Sequence, residues 1–313
     1  MTTCPTLTVV VPTYRRPQML VDCLDSVLPH VREVRAAGLA DVGPVLVIDN
    51  DPDAAAREVV ARYGDAVRYL HEPTPGIAAV RARALREVDT RLLAFLDDDE
   101  IPLEGWLTTL VTTWRATGAQ AVTGRVESVI DGPAHSWITA GDLFGGRPRL
   151  PTGTLVPVAA AGNLLLDAQW VTGHEVTFDQ RLGLGGGEDT LFSYQLTAAG
   201  GTIAWCDESL AEDHVPAERL TRAWLARRFF SQGHASVVVD LFAPHGRGRG
   251  GRIRLRAIVH GLARIAVGAM RFLLGTLRGA NRDRGQGMRL VCRGAGMAWA
   301  GLGGVHHEYS RPA

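Results

Sequence analysis

The stretch LLAFLDDDEIP, residues 92–102, runs from five consecutive apolar residues directly into four acids. An apolar run of that length without alternation is the pattern of a strand buried on both faces, as in parallel sheets. Such a strand delivers Asp97, Asp98, Asp99 and Glu100 to one sheet edge. Successive residues of an extended chain point to opposite sides, so Asp97 and Asp99 share one side. Neighbouring carboxylates repel each other, and a hard divalent cation with oxygen ligands relieves that repulsion well. A solvated acidic turn is the plainer alternative for these four residues taken alone.

Working outward, apolar runs at Leu7–Val11, Val45–Ile48 and Val67–Leu70 precede this strand. Between them lie helical patterns opening at Pro17, near Asp53–Tyr63 and at Gly76–Val88. The first of these puts Met19, Leu20, Leu24, Val27 and Leu28 on one face. Glu104–Thr117 reads as the next helix and Gln120–Val126 as the next strand. Strands separated by helices predict β-α-β units, an α/β fold and a mainly parallel sheet. Ligands of such sheets bind beyond the carboxyl ends of the strands, where both Asp49–Asp51 and Asp97–Glu100 fall.

Beyond Val126, residues 131–154 are rich in Gly, Pro and isolated aromatics and read as a long binding loop. A strand near Val156–Leu166 follows, then GLGGG at 183–187. A helix over Glu188–Ala199 closes at Gly200-Gly201. Thr202–Cys206 reads as a short strand and Ala217–Gln232 as a helix. Glu188 and Asp189 open their helix, a place suited to a general base and equally to ordinary first-turn acids facing the helix dipole. GLGGG does not follow the first strand, so it reads as an acceptor-side loop rather than a dinucleotide motif.

Composition sets outer limits. The 313 residues are 46% hydrophobic and 21% charged, which excludes a mainly disordered or collagen-like chain. The zero net charge hides a segregation: residues 247–293 hold 12 Arg and a single acid, Asp283. Every one of the 33 basic residues is Arg, which codon usage explains more simply than function does. Cys4, Cys23, Cys206 and Cys292 lack disulfide or metal spacing, so a reduced, cytoplasmic setting is expected. The N-terminal arginines follow the apolar run, the reverse of a signal peptide. No run of about 18 uncharged apolar residues occurs, so no ordinary membrane span is expected.

RGRGG at 247–251 reads as a linker, too short and too poor in aromatics to suggest a nucleic-acid partner. After it, 253–277 and 288–305 read as two helices, apolar on one side and cationic on the other. They predict attachment to the inner face of an anionic membrane, or self-association, through residues 247–305. Packing on the rest of the chain is the alternative.

Five segments in fixed order, VVVPTYRRP (9–17), VIDND (47–51), PGIAAVR (75–81), FLDDDEIP (95–102) and GED (187–189), resemble the family 2 glycosyltransferases over roughly residues 5–235. The resemblance implies a GT-A fold, a Rossmann-like mixed sheet flanked by helices, with a basic helical region after it. It divides the chain into a transferase domain at 1–240 (donor half 1–126, acceptor half 127–240) and a tail at 241–313. It implies metal-dependent, inverting transfer from a UDP-, dTDP- or GDP-linked sugar, with Mn²⁺ or Mg²⁺, to a hydroxyl or amine of an unidentified acceptor.

By the same resemblance Pro12, Thr13 and Tyr14 border the nucleotide, with Arg16 near its phosphates or ribose. Asp49 meets the base, Arg81 the nucleotide and sugar, and Asp97 and Asp98 the donor. Asp99 binds the metal, His214 approaches the metal or diphosphate, and Asp189 is the catalytic base. Glu188 supports it, and Trp137 is a candidate to stack on a sugar. Ala82 stands where the family usually has Asn, and Asn50-Asp51-Pro52 where a small hydroxyl often follows the base-binding Asp, so the base is not fixed. A sugar-nucleotide nucleotidyltransferase would want a Gly- and Lys/Arg-rich loop where PTYRRP, with no glycine and no lysine, stands. A scaffold with a degenerate site would not need Asp97, Asp99 and Asp189 intact.

Overall fold

The computed structural model describes residues 4–130, 132–145, 149–244 and 248–306. They divide into two units: the described residues within 1–127, 146–183 and 192–213 form the first, and those within 128–145, 184–191 and 214–313 the second. In chain order the elements are β1 (Thr6–Thr13), α1 (Pro17–Ala36), β2 (Asp41–Val42), β3 (Val45–Asp49), α2 (Arg57–Ala61), β4 (Val67–His71) and α3 (Ile77–Glu87). Then come β5 (Leu92–Leu96), β6 (Glu100–Pro102), α4 (Trp106–Thr117), β7 (Ala121–Ile130), α5 (Ser136–Ala140), β8 (Asn163–Asp167) and α6 (Ala168–Gly173). The chain continues through α7 (Glu188–Ala198), β9 (Ile203–Val215), α8 (Arg222–Phe242), α9 (Gly250–Leu277) and α10 (Asn281–Gly301).

The sheet runs β4-β3-β1-β5-β8-β7-β9-β6, with β2 beside β1. β4, β3, β1 and β5 are parallel, whereas β8 pairs antiparallel with both β5 and β7, and β6 antiparallel with β9. The sheet is therefore mixed, its parallel half being the one whose strands read as unbroken apolar runs. Those runs feed two layers. Val9, Val11, Leu92 and Leu96 pack with Leu20, Leu24, Val27, Trp106 and Leu110 on one face. Val10, Leu46, Ile48, Leu93 and Phe95 pack with Leu164, Leu166, Phe178 and Phe192 on the other. Alternate residues of one strand thus enter opposite layers, and both faces are dry.

Several sequence expectations shift. α2 is only Arg57–Ala61, because Ala54 takes a left-handed φ of 54° and the preceding turn is tied to Asp49. The strand expected from Val156 begins at Asn163, where pairing with β5 begins. β9 extends to Val215, since residues 211–213 find antiparallel partners in β6. Within 131–154 the chain forms α5; residues 131 and 146–148 lie outside the described residues. α8 opens at Arg222, its Thr221 hydroxyl accepting from the Trp224 amide, and runs to Phe242.

The division expected at residue 240 is not where the compact units part: α8 and residues 128–145 group with α9 and α10. α10 carries glycines toward two neighbours. A Cβ at Gly285 would lie 2.5 Å from the Trp137 carbonyl oxygen, and one at Gly296 would collide with the Phe230 carbonyl in α8. On the other side, Cβ atoms at Gly261 and Gly268 of α9 would lie 2.6 Å from Gly294 O and 2.8 Å from Gly287 O. Helices α9 and α10 thus meet backbone to backbone. Finally, α9 passes a test of length and mean apolarity although it holds no uncharged run of the length looked for in the sequence. It is 28 residues long with mean hydropathy 1.5 over its best window, long and apolar enough to cross one by length and composition. Arg264 and Arg271 are the only charges within residues 257–274.

Candidate functional site

The carboxyl ends of β1, β3 and β5 gather the charged residues of the first unit. The turn after β1 is sharp: Arg15 adopts a left-handed φ of 54°, and Pro17 then opens α1 with its ring already fixed for a helix. This turn sends two arginines in different directions. Arg15 pairs with Asp51 at 2.9 Å and with Asp53 at 3.0 Å. Arg16 reaches Asp98 Oδ1 at 3.0 Å and Asp99 Oδ2 at 2.7 Å through a single guanidinium nitrogen. Thr13, at the end of β1, donates its hydroxyl to Asp98 Oδ2 at 2.7 Å. From α3, the buried Arg81 donates to Asp97 Oδ1 at 2.8 Å.

Asp97, Asp98 and Asp99 therefore each meet a cation, but burial still tells on Asp97 and Asp98. Removal from water pushes Asp98 up to about 6, against the pull of Arg16. Asp97 is likewise raised by burial and by Asp99, against Arg81. Glu100 is raised well above the ordinary range by its own burial and by Asp97, Asp99 and Asp213, the last its partner in the β6–β9 register. For Arg16, burial works against the charge, yet Asp99 and Asp98 outweigh it and hold the guanidinium more firmly protonated. Under this cluster, the buried Cys23 thiol is raised well above normal by desolvation and the surrounding acids.

Gly162 makes room for the cluster. A Cβ there would collide with Glu100 Oε1 and stand 3.2 Å from Asp97 Oδ2. The adjacent Asn163 accepts from Trp106 Nε1 at 2.9 Å and donates to the carbonyls of Arg125 and Ser209, both at 3.1 Å. Asn163 thus knits α4, β7 and β9 behind the acids. Neither residue was legible as important in the sequence, because a lone Gly-Asn carries no periodic signal.

Asp49, expected to meet the base, ends β3. It is fully buried, and its carboxylate accepts from the Asp51 amide (2.9 Å), the Ala56 amide (3.0 Å) and the Tyr69 hydroxyl (3.1 Å). These three donors make it the holder of the loop after β3. Asn50 closes the same region, donating to the carbonyls of Glu72 and Thr74 and accepting from the Gly76 amide at 2.9 Å. Gly76 has φ 112°, and a Cβ there would run into the Gly183 carbonyl, so the PGI turn and the start of the GLGGG segment touch through backbone alone.

The first unit therefore brings together Pro12, Thr13, Tyr14, Arg16, Asp49, Arg81, Asp97, Asp98 and Asp99. Glu188, Asp189, His214 and Trp137 belong to the second unit. There, Gly186 and Gly187 take φ of 74° and 87° and turn the chain into α7. Asp189 accepts from the Thr190 amide at 2.6 Å and the Thr190 hydroxyl at 3.2 Å, while Glu188 is buried. Trp137 is 6% exposed and packs with Leu143, Leu220, Leu225 and Phe229, so it is a core residue of that unit rather than an open stacking platform.

The donor chemistry around Asp97–Glu100 fits a hard divalent cation. Every donor is a carboxylate oxygen, and the buried Glu100 Oε2 has no hydrogen-bond partner. No group of three or more His, Cys, Asp or Glu side chains is assembled for a metal among the described residues. A cation here would complete its shell with oxygens from elsewhere.

The family model described as Glycosyl transferase family 2 matches residues 8–170, and the succinoglycan biosynthesis protein ExoM of Rhizobium meliloti (strain 1021) is 36% identical over 239 residues, 75% of each chain. The chain belongs to glycosyl transferase family 2. It is a glycosyltransferase, and its first unit has the GT-A fold. Among solved structures, this family 2 chain resembles the mannosyltransferase PcManGT of Pyrobaculum calidifontis in complex with GDP-Man and Mn²⁺. That match has TM-score 0.59 and 16% identity, covering 93% of this chain and 86% of the other. It also resembles GalNAc-T7 with UDP, GalNAc and Mn²⁺, at TM-score 0.52 and 15% identity, covering 74% of this chain but spanning only 52% of that one.

Proposed function

We propose that the chain is a metal-dependent, inverting glycosyltransferase that takes its sugar from a nucleoside-diphosphate donor and acts on the cytoplasmic side. The observation that carries this reading is the ring of opposed charges at the carboxyl ends of β1 and β5. Arg16 bridges Asp98 and Asp99, and Arg81 grips Asp97. Such a set offers cations to a diphosphate and hard anions to a metal in one place. Two structural neighbours hold nucleotides together with Mn²⁺, which supports a UDP- or GDP-linked donor.

In this reading Pro12, Thr13 and Tyr14 border the nucleotide, and the loop held by Asp49 and Asn50 meets the base. Arg16 and Arg81 bind phosphate or ribose oxygens, Asp97 orients the donor, and Asp98 anchors Arg16 through the Thr13–Asp98–Arg16 chain. Asp99 would hold Mn²⁺ or Mg²⁺, which would supply neutralising charge for the departing diphosphate, and His214 is a second candidate ligand for metal or diphosphate. Asp189, at the start of α7, takes the proton from the attacking hydroxyl or amine, and Glu188 supports that turn. Attack opposite the leaving group inverts the anomeric centre.

Release of nucleoside diphosphate from UDP- and GDP-linked sugars in Mn²⁺ reads the activity without a known acceptor. Asp189→Asn should lower turnover by ~10²–10⁴-fold while calorimetric donor affinity stays within twofold. Wild-type turnover in that variant removes Asp189 from the mechanism.

A further inference from the structure

Strand β7 buries an arginine, Arg125, which is only 8% exposed. Its Nη1 stands 2.7 Å from Glu127 Oε1 without the alignment of a hydrogen bond, and among the described residues its Nε has no acceptor. Taking a guanidinium out of water with its donors unfilled is costly, so buried groups of this kind ordinarily have a partner. Arg149 approaches the same Glu127 oxygen at 3.6 Å. Among the described residues neither arginine pairs with another acid. Two guanidinium groups thus share one carboxylate, and one positive charge is left over.

The sheet register shows where this charge lies. Phe95 of β5 and Thr123 of β7 both pair with Leu164 of β8, and both strands run antiparallel to it. Two residues further on come Asp97 and Arg125, with Gly162 of the β8 side between them. Phe95 belongs to the second layer, and Asp97, two residues on, meets Arg81 of α3 there. A Cβ at Gly124 would collide with the Asn163 side chain, so Gly124 takes the Trp106 face and Arg125 the opposite one, with Asp97. Two strand spacings put the backbones of Asp97 and Arg125 about 10 Å apart. Glu100 already fills the space above Gly162, so an anion meets Arg125 from the side of Glu127. Arg125 also lies on the side of Asp97 away from β1 and β3, whose ends gather Arg15 and Arg16.

We propose that Arg125 and Arg149 form an anion subsite for the acceptor, which therefore carries a carboxylate or a phosphate. That group displaces Glu127 and takes both guanidinium groups, whose planar donor forks suit either oxyanion. Glu127 is 44% exposed and can turn into water as the acceptor anion arrives, while Arg149, 72% exposed, can follow the ligand. The assignment to the acceptor rests on the donor reading of Asp97 given above. With the nucleotide at the ends of β1 and β3 and its sugar at Asp97, a cation two strands beyond meets what the sugar is joined to.

Ligand-observed NMR titration of the full chain with glucuronate, glucose 6-phosphate and methyl glucoside tests this without donor or metal. One of the two anions should bind at least ~10-fold more tightly than neutral methyl glucoside, and which one does so separates carboxylate from phosphate. Arg125→Gln should erase that preference. A buried arginine also contributes to folding, so Glu127→Gln supplies a second comparison. Releasing both guanidinium groups should tighten anion binding ~2–5-fold, the worth of a half-exposed ion pair, whereas a purely structural pair leaves affinity unmoved. Added UDP should not compete. The proposal is overturned by equal affinity for all three sugars, by an anion preference that survives Arg125→Gln, or by unchanged affinity in Glu127→Gln. Displacement of the anion by UDP overturns it too, since the anion then sits where the nucleotide phosphates belong. Nucleoside diphosphate release is read separately: its absence beside intact anion binding fails the transfer reading, and its presence without anion preference fails the subsite.

Discussion

Alanine at Gly294 probes whether α9 and α10 are held by direct backbone contact. In an open helix the change from Gly to Ala stabilises by up to about 1 kcal/mol, since the chain loses less freedom on folding. Here the added Cβ would stand 2.5 Å from Gly261 O and 3.0 Å from both Arg264 Cβ and Ile265 Cγ1. A relaxed carbon–oxygen contact needs about 3.3 Å, so the helices must part by about 0.8 Å along the seam. The nearest obstacle is backbone and cannot swing aside. Overpacking of this kind costs ~1–3 kcal/mol, which outweighs the propensity gain. Gly251, near the start of α9, has nothing within 4 Å of its own ideal Cβ and supplies the comparison. Gly251→Ala should be neutral or slightly stabilising, and Gly294→Ala destabilising by about 0.5–2 kcal/mol net. Urea-denaturation midpoints measure both, and amide exchange in α9 should quicken only in Gly294→Ala. If Gly294→Ala matched or exceeded Gly251→Ala in stability, the backbone seam would be refuted.

Asp98→Asn tests the buried acid. Its folded-state value of about 6 lies above the ordinary 3.8, so the folded protein holds the proton more tightly than the unfolded chain does. The charge therefore costs nothing below about pH 3.8 and progressively more as pH rises through about 6, reaching about 3 kcal/mol at 1.36 kcal/mol per pH unit. In chelator, the variant should exceed wild type by ~1–3 kcal/mol near neutral pH and match it near pH 4, by thermal melts across pH; a pH-independent difference would contradict the assignment. Trp106→Phe removes the indole donor to Asn163 and leaves a gap in a fully buried site. It should lower stability by about 2–4 kcal/mol, read by calorimetry, whereas a change below about 1 kcal/mol would remove Asn163 as the knot behind the acids.

What the sequence made legible follows from how local each signal is. β1, β3 and β5 announce themselves because strands buried on both faces need no alternation, and the acids at their ends are placed by strand polarity alone. The opening of α7 was readable from GLGGG and the two acids that follow. β9 was cut short because its continuation, CDESLAEDHV, looks polar until β6 supplies partners for residues 211–213. The donors around Asp49 were hidden because only the fold brings Tyr69 and the Ala56 amide to it. Trp137 looked exposed because its loop is rich in glycine; helices from the end of the chain bury it. The glycine seam was hidden for a related reason. Gly261, Gly268 and Gly275 weaken a helix taken singly, and their value emerges only when a second row of glycines lies opposite.

Arg16 carries one consequence further. With its guanidinium already shared between two carboxylates, the resting protein supplies its own counterions at this point. Any phosphate approaching Arg16 alone must compete with Asp98 and Asp99, and any metal approaching Asp99 alone must compete with Arg16. Arrival of either one loosens the grip on the place the other needs. If the proposed metal and donor sites hold, uptake of the two would be mutually reinforcing by linkage, and a dephosphorylated nucleoside, offering no anion for Arg16 to exchange, would gain nothing from that reinforcement.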